Sequence, residues 1–135
     1  MNQSQRIKNL VTSAKNARKY SQAKYSKFQV GAAVETETGK IFTGCNVESS
    51  SYGLTICAER VALTKALSEG ETQFHSIAIT GPDNDFCPPC GACRQLLFDY
   101  AQDIEVILSN GKENKIFTLK ELLPFAFEES KLKKK

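Results

Sequence analysis

The sequence lacks any long hydrophobic run. No apolar stretch in its 135 residues approaches the roughly 18 residues that a membrane-spanning helix needs. The N-terminal basic residue, Arg6, has no apolar run of signal-peptide type behind it, so we expect no secretory signal. Glycine and proline, at eight and four residues, are too few for a collagen-like or low-complexity chain. The remaining class is a globular protein with a single domain, which we place at residues 1–135.

The chain also carries little net charge outside its C-terminus. The formal charge is +3, and four of the eighteen cationic side chains lie in residues 131–135. Without that tail, 14 basic residues stand against 15 acidic ones, which leaves a net charge of −1. The body therefore lacks the basic surplus typical of nucleic-acid-binding domains, and we predict neither a nucleic-acid nor a membrane partner. We interpret residues 131–135 as a frayed, solvated basic tail.

Cysteine is too sparse for a disulfide scaffold, since the chain has only five, an odd number. Because we expect no export signal, we predict a reducing, cytoplasmic compartment. Cysteines there serve more often as metal ligands, nucleophiles or small buried residues than as disulfides. Cys45 falls in a predicted strand and is interpreted as a core residue. Cys87, Cys90 and Cys93 crowd into seven residues, which is the first indication of chemistry.

Hydrophobic periodicity predicts an opening hairpin, followed by strands that alternate with helices. The predicted helices cover about the first twenty residues, 58–67, 91–100 and a short turn opened by a capping box at 118–121; the predicted strands are 26–34, 41–47, 76–80, 104–108 and 115–117. This order is typical of an α/β fold, here a three-layer α/β/α sandwich around a mixed five-stranded sheet. Only seven residues separate Leu108 from Ile116, too few for a parallel crossover, so the last two strands are predicted to be antiparallel.

Two of the predicted helices begin with cysteine. Cys57 opens one, and Cys90 and Cys93 lie in the first turn of the other. Helix N-termini lower the pKa of thiols and favour thiolates. If the two termini meet, three thiolates face one point, a donor set that favours zinc and leaves the fourth tetrahedral position open to water. An open position is the arrangement of a catalytic rather than a structural zinc site.

Glu59 lies two residues after Cys57, where a carboxylate is a poor fourth ligand but a good proton carrier. The order Cys-x-Glu followed by Pro-Cys-x-x-Cys matches the zinc deaminase signature. An alternative is a structural knot through Cys87, Cys90 and Cys93, which Pro88-Pro89 disfavours because it resists a helical turn. The other alternative is that Cys57, Cys90 and Cys93 are buried apolar residues that bind no metal.

Five segments carry a wider likeness: 25–33, 44–48, 57–60, 89–95 and 122–127. Through them the chain resembles the small, homotetrameric, zinc-dependent cytidine deaminases of nucleoside salvage. The resemblance implies a cytidine deaminase-like fold and hydrolysis of cytidine and 2′-deoxycytidine to the corresponding uridines and ammonia. It further implies one Zn²⁺ per chain and a homotetramer whose active sites are shared between subunits. The chain departs from the common family pattern at Ser49-Ser50-Ser51.

The resemblance also implies a role for each site residue. Zinc would be bound by Cys57, Cys90 and Cys93, with Glu59 as the catalytic proton carrier and Arg60 donating hydrogen bonds to the ligand sulfurs. Substrate contacts would come from Phe28 at the base, Asn46 and Glu48 at the ribose 3′-hydroxyl, the backbone of Ala58 and Cys90 at the ring, and Tyr52 and Phe127 in a neighbouring subunit's pocket. Arg94 is interpreted as a member of a structural ion pair.

Three other functions stay open at this stage. A nucleic-acid cytosine or adenine deaminase shares the zinc signature, but it needs a basic strand-binding groove, which the near-neutral body disfavours. A deaminase of a cytosine-bearing antibiotic nucleoside is closer, although Asn46, Glu48 and Phe28 favour a plain ribose. The third is a zinc-knot interaction module without catalysis.

Overall fold

The computed structural model describes residues 2–133 of the chain. In that range the helices are α1 Gln3–Arg18, α2 Ala58–Ser68, α3 Gly91–Tyr100 and α4 Leu119–Leu122, and the strands are β1 Gly31–Thr36, β2 Ile41–Cys45, β3 Phe74–Thr80, β4 Glu105–Ser109 and β5 Asn114–Thr118. Two short 3₁₀ helices cover Tyr52–Leu54 and Glu129–Lys133. The predicted capping box is present, because the Thr118 side chain accepts from the backbone N–H of Glu121 while the Glu121 carboxylate accepts from that of Thr118.

The strands form one mixed sheet in the order β2-β1-β3-β4-β5. β3 and β4 are parallel and are connected through α3, and the other neighbouring pairs are antiparallel. The antiparallel pairing of β4 with β5 confirms the prediction made from the short link between them. The α/β class and the five-stranded mixed sheet are confirmed as well.

Helices cover both faces of the sheet, which makes the predicted three layers. α1 lies on one face, where its Leu10 and Ala14 pack against sheet residues such as Ala33. α2 and α3 lie on the other face, over the larger apolar core. Two glycines permit this close packing. A Cβ at Gly31 would lie 2.1 Å from the Ala14 carbonyl oxygen of α1, and one at Gly44 would lie 2.5 Å from the Ala58 carbonyl oxygen of α2.

The first strand begins later than predicted, at Gly31 instead of residue 26. Residues 28–30 are held by a side chain, because Asn46 Nδ2 donates to the Phe28 carbonyl oxygen at 2.8 Å and its Oδ1 accepts from the Val30 N–H at 3.0 Å. These bonds satisfy the backbone polar groups that a strand would pair with a neighbouring strand. Residues 28–30 alternate in hydrophobicity like a strand, but they are not part of the sheet.

A short 3₁₀ helix, Glu129–Lys133, reaches into the segment interpreted as a basic tail. Lys131 donates its backbone N–H to the Glu128 carbonyl oxygen, inside the 3₁₀ helix that ends at Lys133. Lys134 and Lys135, the rest of the predicted basic tail, lie outside the described residues. No helix within residues 2–133 is long and apolar enough to cross a lipid bilayer.

Candidate metal centre and active site

The N-termini of α2 and α3 meet at one point on the same side of the sheet. Cys57 is the N-cap of α2 and Cys90 is the N-cap of α3, while Cys93 lies in the first turn of α3. The Cys57 and Cys90 sulfurs are 3.7 Å apart, and those of Cys90 and Cys93 are 3.4 Å apart. Zinc–sulfur bonds of about 2.3 Å in a tetrahedral array place sulfurs about 3.8 Å apart. The three sulfurs therefore fit a single zinc ion.

The knot through Cys87 is not formed. Among the residues that the structure describes, only Cys57, Cys90 and Cys93 bring three ligand atoms within 4.8 Å of one another. Cys87 instead packs against the apolar core, and burial, with the nearby Glu59 charge, raises the pKa of its thiol to about 11. Its sulfur therefore lies outside the group of ligand atoms that could hold a metal ion.

The charges around the sulfurs favour one thiolate before any metal binds. A hydrogen bond from the Cys93 thiol, with help from Cys90 and Arg60, lowers the pKa of Cys57 to about 5. The same hydrogen bond to the Cys57 thiolate, together with burial, raises the pKa of Cys93. Arg60 Nη2 lies 3.9 Å from the Cys57 sulfur, within reach of a hydrogen bond to it.

Glu59 is buried beside this cluster, with 5% of its surface exposed. Burial, reinforced by the negative charge of Cys57, raises the pKa of Glu59 to about 7. A carboxyl group that is half protonated near neutral pH can both take and give a proton, which is the property that a general acid–base catalyst needs.

Glu48 and Asn46 are both engaged with the segment that precedes β1. Glu48 Oε1 accepts from the backbone N–H groups of Tyr25 and Ser26 at 2.9 and 3.0 Å, and the Ser26 hydroxyl donates to Oε2. These bonds, led by that of the Ser26 side chain, lower the pKa of Glu48. Glu48 lines an open cavity of about 240 Å³ with Tyr25, Ser26 and Tyr52.

The aromatic residues predicted to touch substrate are exposed. Phe28 is 48% exposed, Tyr52 79% and Phe127 55%, whereas Ala58 is fully buried at the start of α2. Phe127 belongs to the segment after α4, and its backbone carbonyl oxygen accepts from Gln95 Nε2 at 3.0 Å.

Sequence reasoning missed the contacts of Arg94 and Gln95. Arg94 donates to the Leu122 carbonyl oxygen at 2.5 Å instead of joining an ion pair in the described chain. The only signal was that both residues directly follow a zinc ligand, in a segment that carries the family likeness. That position says nothing about partners 28 and 32 residues away.

Comparisons with known proteins place this chain among the zinc-binding deaminases. Residues 4–109 match a family model described as the cytidine and deoxycytidylate deaminase zinc-binding region. The chain is 50% identical over 108 residues to a probable cytidine deaminase of Dictyostelium discoideum, covering 79% of this chain and 72% of that one. It is 40% identical over 128 residues to the cytidine deaminase of Sporosarcina psychrophila, covering 93% and 94% of the two chains.

A solved structure gives the same result for the fold. The crystal structure of cytidine deaminase from Burkholderia pseudomallei superimposes with a TM-score of 0.86 at 42% identity, covering 94% of this chain and 100% of that one. The matched family region is zinc-binding, and the three-cysteine cluster supplies ligands for one zinc ion per chain. The chain therefore belongs to the zinc-dependent cytidine and deoxycytidylate deaminase family.

Proposed function

We propose that the protein hydrolyses cytidine and 2′-deoxycytidine to uridine and 2′-deoxyuridine, with release of ammonia, as a step of pyrimidine salvage. The observation that supports this most directly is the burial of the Glu59 carboxyl group beside three sulfurs spaced for zinc. A structural zinc knot does not need a titratable carboxyl group next to its ligands.

Cys57, Cys90 and Cys93 hold the zinc ion, which when bound supplies the Lewis acidity that activates a water molecule. Glu59 accepts one proton from that water and passes it to N3 of the cytosine ring; it then accepts the remaining proton of the hydroxyl group formed at C4 and passes it to the departing amine. Water adds at C4, the C4–N4 bond breaks, and ammonia leaves. The helix N-termini and Arg60 offset the negative charge of the three thiolates, which otherwise weakens the Lewis acid.

Glu48 and Asn46 form the ribose subsite in this proposal. Glu48 remains a carboxylate that can accept from the 3′-hydroxyl group, because its pKa is lowered by Ser26. The Asn46 amide uses one N–H on Phe28, and its second N–H stays available for a ribose oxygen. Phe28 offers an exposed ring for the base, and the backbone of Ala58 and of Cys90 seats the ring edge.

The proposed assembly is a homotetramer with shared active sites. Phe127 and Tyr52 are exposed aromatic side chains, and both complete a neighbouring subunit's pocket in this proposal. The thiolate cluster favours a reducing compartment, so we place the enzyme in the cytoplasm. Residues 1–135 then act as one domain, with 131–135 as its basic tail.

A substrate panel tests the function. We expect cytidine and 2′-deoxycytidine to release ammonia, and cytosine, blasticidin S and a single-stranded oligonucleotide to remain largely intact. Loss of the cytidine absorbance is measured in parallel, with the zinc content of the same preparation. One zinc per chain without turnover of any panel member would identify a zinc-knot module, and turnover of the oligonucleotide would identify a nucleic-acid deaminase.

A further inference from the structure

The Ser26 hydroxyl group lies between two residues that the proposed function assigns to opposite ends of the nucleoside. It donates to Oε2 of Glu48 and accepts from the backbone N–H of Phe28 at 3.0 Å. Glu48 belongs to the proposed ribose subsite, and Phe28 offers its ring to the base. One hydroxyl group therefore connects the sugar side of the site with the base side.

The contacts of the Glu48 carboxylate leave one acceptor position open. Oε1 accepts from the backbone N–H groups of Tyr25 and Ser26 at 2.9 and 3.0 Å, and Oε2 accepts from the Ser26 hydroxyl group. A carboxylate offers about four acceptor positions, so among the contacts within residues 2–133 one position on Oε2 remains for a ligand. Because three hydrogen bonds fix the plane of the carboxylate, this last position has a defined direction.

The backbone of Phe28 is held on both sides by polar side chains. Its N–H donates to the Ser26 hydroxyl oxygen, and its carbonyl oxygen accepts from Asn46 Nδ2 at 2.8 Å. Both bonds lead to the ribose subsite, directly through Asn46 and by way of Ser26 to Glu48. Since the backbone sets where the exposed ring can lie, a change at the sugar side would reach the base side through Ser26.

The backbone between Ser26 and Phe28 has an unusual conformation. Lys27 has a φ angle of 63°, a left-handed value that a residue with a long side chain adopts mainly when surrounding bonds impose it. The Lys27 N–H donates to the Ala23 carbonyl oxygen at 3.0 Å, and the bond from Phe28 to the Ser26 hydroxyl oxygen closes around Lys27. The hydroxyl group thus helps to hold this turn in place.

We propose that Ser26 is a positioning residue, which aims the open acceptor of Glu48 at the ribose 3′-hydroxyl group and holds Phe28 against the base. This inference rests on the proposed function and deepens it, because it adds a residue that touches neither zinc nor the reacting atoms. Ser26 would act on substrate binding through Glu48 and Phe28 together.

Ser26→Ala removes the hydroxyl group and keeps both backbone N–H donors to Oε1 of Glu48. We expect it to retain one zinc per chain and to raise KM for cytidine about three- to tenfold, with a smaller change in kcat. Ser26→Thr keeps a hydroxyl group and should restore most of the loss. An unchanged KM in Ser26→Ala, or an equal rise in both variants, would overturn the proposal.

Ser68→Ala is the matched control, because it also removes a hydroxyl group that bonds to the backbone. The Ser68 hydroxyl group donates to the Lys65 carbonyl oxygen at 2.8 Å, at the exposed end of α2. We expect this variant to have the KM and kcat of the wild type. A rise in KM equal to that of Ser26→Ala would show that the effect is not specific to Ser26 and would overturn its role.

A substrate analogue separates the sugar side from the base side. 3′-Deoxycytidine lacks the hydroxyl group that the open acceptor of Glu48 would bind. We therefore expect Ser26→Ala to raise KM for 3′-deoxycytidine by a smaller factor than for cytidine. An equal factor for both substrates would show that Ser26 does not act through Glu48 and would overturn the proposal.

An NMR titration of the Glu48 side-chain carboxyl group tests the same contact without turnover. The hydrogen bond from the Ser26 side chain is the largest cause that lowers the pKa of Glu48; the backbone N–H groups of Ser26 and Tyr25 and the charge of Lys27 lower it further. We expect Ser26→Ala to raise this pKa toward its ordinary value and Ser68→Ala to leave it unchanged.

The two proposals fail in different ways. If the wild type turns over no nucleoside, the proposed function fails, and the titration still decides whether the Ser26 hydroxyl group holds the Glu48 carboxylate. If the wild type is active but the pKa of Glu48 is the same in Ser26→Ala, the proposed function stands and the role of Ser26 is refuted.

Discussion

Nη2 of Arg60 lies 3.9 Å from the sulfur of Cys57 and 2.9 Å from the carbonyl oxygen of Thr55. The guanidinium thus spans the loop before α2 and the thiolate at the N-terminus of that helix. A cation at this place draws electron density from the sulfur, and we propose that it would keep the Lewis acidity of a bound zinc ion above that with three unassisted thiolates.

The first prediction concerns this guanidinium. We expect Arg60→Gln to lower kcat/KM by about 10–100-fold, the range found when a partner of a metal ligand is lost, while much of the zinc is retained. Zinc content and steady-state kinetics measured on one preparation check it. Full activity in this variant would refute the role of Arg60, and complete loss of zinc would show that Arg60 holds the site together instead of tuning it.

The second prediction uses the raised pKa of Glu59 in the metal-free protein. The folded state holds the proton up to about pH 7, whereas the unfolded chain releases it near the ordinary value of 4.5. Stability from this group is therefore complete below about pH 4.5 and is lost as the pH rises through 7. The loss is of the order of 3 kcal/mol, at about 1.4 kcal/mol per pKa unit.

Glu59→Gln is the matched control, because an amide at this position does not titrate. The zinc is removed from wild type and variant with a chelator. The free energy of unfolding of each protein is then measured with denaturant at pH 5 and at pH 8. We expect the wild type to lose more stability than the variant between the two pH values. An equal loss of stability in both proteins would show that the titrating group is not Glu59. The zinc-loaded variant should retain its metal and lose turnover by at least about 10²-fold.

The third prediction concerns removal of the metal. Chelation should abolish activity and lower Tm, because binding to the folded state alone stabilises it. Zinc affinity should also weaken as the pH falls, since Cys93 holds its proton in the metal-free protein and must release it on binding. Competition with a chelator at several pH values measures this, and an affinity independent of pH would contradict it.

The fourth prediction separates the two residues of the proposed ribose subsite. Asn46 is buried and bonds to the backbone of Phe28 and Val30, so Asn46→Ala should destabilise the fold by about 2 kcal/mol as well as weaken substrate binding. Glu48→Gln keeps the shape of the side chain, and we expect it to raise KM with little change in Tm. Thermal unfolding gives the Tm of both variants, and steady-state kinetics gives their KM. A lower Tm in Glu48→Gln alone would show that Glu48, and not Asn46, stabilises the fold.

Much of the molecule was predictable because its signals are local. α3 occupies the predicted residues 91–100, and the helix opened by Cys57 runs one residue beyond its predicted end. The short link between Leu108 and Ile116 was sufficient to predict the antiparallel pairing of β4 and β5. The zinc ligands were predictable for the same reason, since each lies at a helix start whose dipole favours a thiolate.

Other features were decided only by the tertiary structure. The irregular path of residues 28–30 and the hydrogen bond from Gln95 to Phe127 both depend on positions far apart in the chain. Polar side chains that bond to a distant backbone leave no periodic pattern in the sequence, because the partner is supplied by the fold. The composition and spacing of this chain thus determined its elements and its metal chemistry, and packing across the sheet decided which side chains hold the surrounding segments in place.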